Sequence, residues 1–377
     1  MSWLKDPVFE KWLAEVKEDG NKAYCKVCRT EIRANRSGLK KHSETLKHRQ
    51  NISEIKMAEF KTPVTKRIIS VLKKENMGTP QILIPPSPCM RQLGYGTGVN
   101  VYLLERFSPM RGCYKSPWAV KKRNSKVVDK DGEFTKRLSF EAEVLKRLNH
   151  PNIIGYRSYT YNKEGTRCLA MESGDESLAD IIETRQDDGL GPFPCLQILK
   201  VARDISSALI YLHDEMHLLH GDLKSANILI KNNFDTVKLC DFGVTLKLNE
   251  NGVASEDECY VGTECWSAPE VIACDAITHK TDMFSFGLVL WEMLSLNPPH
   301  MDKLDFSEAT SEEKTDTSDG GKDEEFYKAL GTRPALPDVV LGDDYLPVLE
   351  IFYACTEADH ARRPSAKQVL HVLDCLK

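Results

Sequence analysis

The stretch His220-Gly221-Asp222-Leu223-Lys224-Ser225-Ala226-Asn227 sets an acid, an amine and an amide within six residues, and Asp241-Phe242-Gly243 begins fourteen positions after Asn227. Ser267-Ala268-Pro269-Glu270 closes the segment that follows. Upstream, Leu93-Gly94-Tyr95-Gly96-Thr97-Gly98-Val99-Asn100-Val101 precedes Trp118-Ala119-Val120-Lys121, which precedes Phe140-Glu141-Ala142-Glu143. Taken singly these are weak signals. A glycine-rich hairpin is usually only a turn, a lone lysine a solvated strand end, and a single glutamate an exposed helical carboxylate. Occurring once each and in this order, they constrain the chain far more than its composition does.

Each motif fits one part of a phosphate-handling site. Glycines at 94, 96 and 98 let backbone N–H groups approach phosphate oxygens without a Cβ in the way. Leu93, Val101 and Ala119 flank that loop as apolar cover for a nucleotide base. Lys121 follows a short apolar strand and can hold α- and β-phosphates if an anion keeps it oriented. Two glutamates compete for that task; Glu141 is the first choice and Glu143 the fallback. Asp222 can accept a hydroxyl proton, Lys224 can stabilise charge on a transferred phosphoryl group, and Asn227 and Asp241 can hold Mg2+.

Residues 90–376 thereby resemble a eukaryotic protein kinase domain. The resemblance implies an α+β fold of two lobes, an N-lobe over 89–172 and a C-lobe over 173–377, with Mg-ATP bound between them. It implies Met171 as gatekeeper and Glu172 to Gly174 as the hinge that contacts adenine. It also implies that Asp282 braces the catalytic loop and that Arg363 pairs with Glu270. Lys224 and Thr263 fit the serine/threonine pattern; dual specificity stays open.

A narrower resemblance covers about residues 59–376. Phe60-Lys61-Thr62-Pro63, the early third glycine, the His-Gly-Asp and Ala329-Leu330-Gly331-Thr332-Arg333-Pro334 are similar to the T-LAK cell-originated, or PDZ-binding, kinase family, described as MAP-kinase-kinase-like and mitotic. That implies protein substrates, among them MAP kinases, and a place in mitotic or stress signalling. The chain ends Asp374-Cys375-Leu376-Lys377, without the terminal apolar residue a PDZ pocket expects, so PDZ binding is not carried over. The usual kinase spacing puts its third glycine where Val99 sits, and an arginine where Gly221 sits. The arginine commonly reads a phosphate on the activation segment. Its absence leaves Asp222 in place and predicts an active enzyme under altered control. The alternative is a scaffold that binds nucleic acid or protein and whose kinase domain is weak or inactive.

The remainder divides by composition. Residues 1–51 carry about five more Lys and Arg than Asp and Glu, against a net charge of −5 for the whole chain. Cys25, Cys28, His42 and His48 stand there as C-x2-C-x13-H-x5-H, a donor set for tetrahedral Zn2+. This segment resembles BED-type zinc fingers, including the aromatics Trp3, Phe9 and Trp12. Arg33, Arg36, Lys40, Lys41, Lys47 and Arg49 suit DNA phosphates or, equally, a protein surface. Residues 52–88 read as a linker in which Thr62 and Thr79 precede prolines, and the acidic stretch 301–326 reads as a mobile loop. The N-terminus, Met1-Ser2-Trp3-Leu4-Lys5-Asp6, has no apolar leader, so reduced thiols and residence in cytoplasm and nucleus are expected, with no membrane partner.

Overall fold

The computed structural model describes residues 13–15, 22–26, 30–33, 39, 90–96, 99–108, 113–124, 132–162, 165–303 and 321–376. Backbone contacts divide the chain into two units, Met1–Pro80 and Gln81–Lys377.

In the first unit, β1 (Leu13–Glu15), β2 (Lys22–Cys25) and β3 (Thr30–Arg33) form an antiparallel meander. Its register sets Cys25 opposite both Leu13 and Thr30. Ala23 and Cys25 are two apart on β2 and both are buried, as the period of a strand requires; Leu39 is buried as well. Cys28, His42 and His48 lie outside the described residues, as does all of 52–88.

The second unit opens with a five-stranded antiparallel sheet in the order β4-β5-β6-β8-β7. Its strands are β4 (Met90–Gly96), β5 (Val99–Ser108), β6 (Cys113–Arg123), β7 (Tyr156–Tyr161) and β8 (Arg167–Glu172). Gly96 of β4 pairs with Val99 of β5. Gly98 itself lies outside the described residues. Leu93 falls at a break in register between Gln92 and Gly94, a bulge that bends the strand at the start of the glycine-rich turn. Helix α1 (Glu133–Arg147) buries Leu138, Glu141, Ala142, Val144 and Leu145. A carboxylate thus sits within its apolar stripe.

Helices dominate the rest. In α2 (Leu178–Asp187) a reciprocal capping box joins Ser177 and Asp180. Helix α3 (Cys195–Ile210) buries the stripe Ile198, Val201, Ile205, Ala208 and Leu209. Two short pairings, β9 (Glu176–Ser177) with β11 (Ile228–Lys231) and β11 with β12 (Thr236–Leu239), underlie the site. Another joins β10 (Leu218–Leu219) to β13 (Leu246–Lys247). After the brief α4 (Pro269–Ile272), α5 (Lys280–Ser295) is buried from Thr281 to Leu294, all round, as befits a helix at the centre of a core. Against it and α3 lie α7 (Leu346–Cys355) and α8 (Ala366–Cys375).

One expectation needs correction. The acidic stretch 301–326 is not one loop. Residues 301–303 form a single turn, and 321–326 belong to helix α6 (Gly321–Ala329). Phe326 is buried there and Lys328 pairs with Glu324 one turn away, so an aromatic anchor outweighs the acidity of the flanking chain. Residues 304–320 lie outside the described residues.

Candidate active site

Strand β6 is the middle strand of the sheet, and Lys121 on it pairs with Val101 of β5 and Leu169 of β8. Its ammonium is held from two sides, 2.9 Å from Glu141 Oε2 and 2.8 Å from Asp241 Oδ1. Glu143 is exposed on the other face of α1, so geometry chooses Glu141. Burial lowers the Lys121 pKa, but the two carboxylates outweigh it and the net direction is upward. Burial pushes the Glu141 carboxyl up to about 7, against the pull of Lys121. Asp241 goes the other way: burial opposes its charge, yet Lys121 holds it below the usual carboxylate range.

Val101 packs against the cluster that contains Ala119 and Met171, and Ala119 faces Met171 across the β6–β8 ladder. These three residues make a continuous apolar wall beside Lys121. Glu172 turns its carboxylate away to a cationic cluster, 3.2 Å from Lys238 and 3.7 Å from Lys231, and accepts the Gly155 N–H at 3.3 Å. Its contact with a base would therefore be through the backbone.

The β11–β12 hairpin explains why residues fourteen apart in sequence meet. Its register sets Ile228 opposite Leu239, so Asn227 just before and Asp241 just after are neighbours, and Asn227 O accepts the Cys240 N–H at 2.9 Å. Asp241 adopts φ 64°, a left-handed conformation unusual outside glycine. Phe242 beyond it is fully buried, with its ring edge-on to His220 at 5.1 Å.

Asp222 lies at the centre of a dense set of hydrogen bonds. Asn227 Nδ2 donates to its carbonyl at 2.7 Å and to Oδ2 at 3.0 Å. Lys224 Nζ donates to Oδ2 at 2.8 Å and to Thr263 Oγ1 at 2.6 Å. Thr263 donates to Oδ1 from both its N–H, 3.0 Å, and its hydroxyl, 2.6 Å. Asp282 supports this loop from beneath, accepting the N–H of His220 at 2.8 Å and of Gly221 at 3.0 Å, with His213 Nε2 2.8 Å from Oδ2. Gly221 has φ 79°, and an added Cβ would lie 3.0 Å from Val244 O. Glycine suits that backbone, and an arginine would be strained on it. Arg363 binds Glu270 through two 2.7 Å contacts, both residues buried.

Sequence reasoning missed two members. Glu292 accepts from Ser225 Oγ at 2.6 Å and Trp266 Nε1 at 2.7 Å, tying the catalytic loop to the segment after it. His213 supports Asp282. Both were visible as lone polar residues on otherwise apolar helical faces, a signal shared by many satisfied core groups.

Asp241 offers carboxylate oxygens, and Asn227, whose amide nitrogen is used on Asp222, offers its amide oxygen. This hard-oxygen pair fits Mg2+, which keeps water and phosphate in its other positions. Among the described residues no group of three or more His, Cys, Asp or Glu could hold a metal, and no helix is long and apolar enough to cross a membrane.

A charge-held lysine, a hydrogen-bonded aspartate and a metal pair on a two-lobed frame define a phosphotransferase acting with ATP and magnesium. The protein kinase domain model matches residues 89–373, and the chain belongs to that family, as a serine/threonine protein kinase acting on protein substrates. More particularly, it is 46% identical over 322 residues to human lymphokine-activated killer T-cell-originated protein kinase, covering 84% of this chain and 98% of that one. MAP3K epsilon protein kinase 1 of Arabidopsis thaliana is 31% identical over 61% of this chain, and cell division control protein 7 of Schizosaccharomyces pombe 36% identical over 49%. The matches span 15% and 16% of those two longer proteins.

Proposed function

We propose that this kinase serves a MAP-kinase-kinase-like role, with MAP kinases among its substrates, in mitotic or stress signalling in cytoplasm and nucleus. The observation that carries its chemistry is the joint grip of Lys224 and Thr263 on Asp222. In this reading Asp222 orients the acceptor serine or threonine hydroxyl and takes its proton, while Lys224 neutralises charge on the transferred group. Lys121, kept in line by Glu141, positions the α- and β-phosphates. Leu93, Val101, Ala119 and Met171 cover the base, and the backbone of the loop carrying Gly94, Gly96 and Gly98 approaches the phosphates. Asn227 and Asp241 would hold magnesium, which would supply neutralisation of phosphate charge. A radiolabelled ATP assay with purified MAP kinases and a generic basic protein tests this, with Asp222→Asn as control. Transfer to the basic protein alone would leave the kinase and remove the substrate class.

We further propose that Cys25, Cys28, His42 and His48 hold zinc in a BED-like finger over 1–51, joined by the linker 52–88 to the kinase domain at 89–377. The spacing C-x2-C-x13-H-x5-H supports this, since two thiolates and two imidazoles satisfy tetrahedral Zn2+. The finger recruits the kinase to DNA or to a protein partner, and Thr62, followed by proline, is a phosphorylation site in mitosis. Phosphosite mapping from mitotically arrested cells with Thr62 covered and unmodified would remove that last element.

A further inference from the structure

Thr263 must stay against Asp222 for the catalytic loop to keep its geometry, yet the usual device for fixing this segment is missing. Gly221 leaves no arginine beside Asp222, and no lysine or arginine occurs between Lys247 and Lys280. Lys224 is engaged with Asp222 and Thr263, and Arg363 with Glu270. Residues 248–278 themselves thus offer a phosphate on the segment no cationic side chain.

What fills the position is an aromatic ring. Tyr260 packs against the buried cluster Leu219, Leu246, Leu248 and Ala254. Its ring passes under Gly262: a Cβ built there would lie 2.5 Å from Tyr260 Cε1, 2.6 Å from its hydroxyl oxygen and 2.5 Å from Gly221 O. On the other side, Cε2 lies 4.0 Å from where a Cβ on Gly221 would stand. The two glycines therefore admit the ring between the catalytic loop and the activation segment. The hydroxyl lies beside Ser267, whose Oγ donates to Thr263 O at 3.1 Å. Burial, then the nearby Asp282 and Asp222, raise its pKa, so it remains a neutral phenol.

We propose that Tyr260 is a positioning residue that pins Thr263 against Asp222 through ring packing and the Ser267 contact, in place of a phosphate–arginine latch. The inference rests on the reading of Asp222 as the base. It assigns Tyr260 a permanent structural duty rather than a role as a phosphorylation site, because the groups around its hydroxyl, Asp282, Asp222 and Glu270, are all acidic.

The test uses the full chain after phosphatase treatment, measuring kcat, KM for a basic protein substrate, ATP affinity by direct binding, and melting temperature. Treated parent enzyme should retain activity within about fivefold, the scale of one lost hydrogen bond. Tyr260→Ala should lose about 100-fold in kcat, as displaced catalytic groups do, with ATP affinity unchanged. Tyr260→Phe keeps the ring and should lose no more than about tenfold. If Tyr260→Ala folds poorly, Tyr260→Leu, which keeps apolar volume but not the flat ring lodged between Gly221 and Gly262, should reproduce the alanine effect. Full kcat in Tyr260→Ala, or a loss matched by lost ATP binding, would overturn the proposal. An Asp222→Asn enzyme as active as the parent would instead overturn the assignment of the base.

Discussion

Lys121 and Glu141 form a buried ion pair of 2.9 Å in which the carboxyl, not the amine, is held near the edge of ionisation. Folding raises the Glu141 pKa from 4.5 to about 7, because burial outweighs the attraction of Lys121. As pH falls through that value the carboxyl becomes neutral and its hold on Lys121 weakens. KM for ATP should therefore rise between about pH 8 and pH 6, a range in which ordinary carboxylates do not titrate. Glu141→Gln should flatten that limb and lower kcat/KM for ATP by about 10- to 100-fold. Stability runs oppositely. A carboxyl with a raised pKa favours the fold fully below 4.5 and loses that contribution as pH climbs to about 7. The melting temperature of Glu141→Gln, relative to the parent, should thus increase with pH. A pH-independent KM would refute the coupling.

Lys121→Met and Asp241→Asn should each remove at least about 1,000-fold of phosphotransfer activity, since preorganised charge is the main source of rate in this chemistry. Neither side chain fills core volume in the way Phe242 does. Circular dichroism and cooperative melting should therefore survive in both proteins. Activity above the Asp222→Asn background in either would mean the wrong residues carry the phosphates.

Gly221 makes a prediction about stability. Its φ of 79° and the 3.0 Å approach of Val244 O to a Cβ penalise any side chain. Gly221→Ala should cost about 1–2 kcal/mol, the price of a left-handed conformation for an L-residue. Denaturant midpoints at unchanged m-value measure this directly. An unchanged midpoint would show that the loop relaxes at no cost.

Much of this site was legible because it is local. The sequence around Asp222 and Asp241 carries its chemistry within a few residues, and the β11–β12 hairpin needs only its own turn to bring Asn227 to Asp241. The choice of Glu141 over Glu143 depended on which face of α1 meets β6, and a helix with carboxylates on both faces leaves that open until it is packed. The roles of Glu292 and Tyr260 could not be assigned from the sequence. Their partners, Ser225 and Trp266 for one and Gly221, Gly262 and Ser267 for the other, lie in other segments of the chain. The acidic stretch was misjudged at its end because average composition hides one aromatic anchor, Phe326.

The N-terminal unit yields the last prediction. Its described part offers three short strands and three buried small or aliphatic residues, Ala23, Cys25 and Leu39. A unit of about fifty residues commonly needs a further crosslink to offset the cost of its ordering. If Cys25, Cys28, His42 and His48 supply that crosslink, the full chain should carry one zinc ion, measurable by mass spectrometry of metal content. Thiolate and imidazole ligands bind only when deprotonated, so acid or a strong chelator should release it. Cys28→Ser and His48→Ala should each lose the metal, and proteolysis should then cut within residues 1–51 while the kinase assay is unaffected. DNA binding, if the basic cluster grips phosphates, should weaken steeply with salt and weaken further in Lys40→Glu with Lys41→Glu. A zinc-loaded chain indifferent to duplex DNA at low salt would assign the finger to protein recruitment. A metal-free chain with the same proteolytic resistance would refute the zinc site itself.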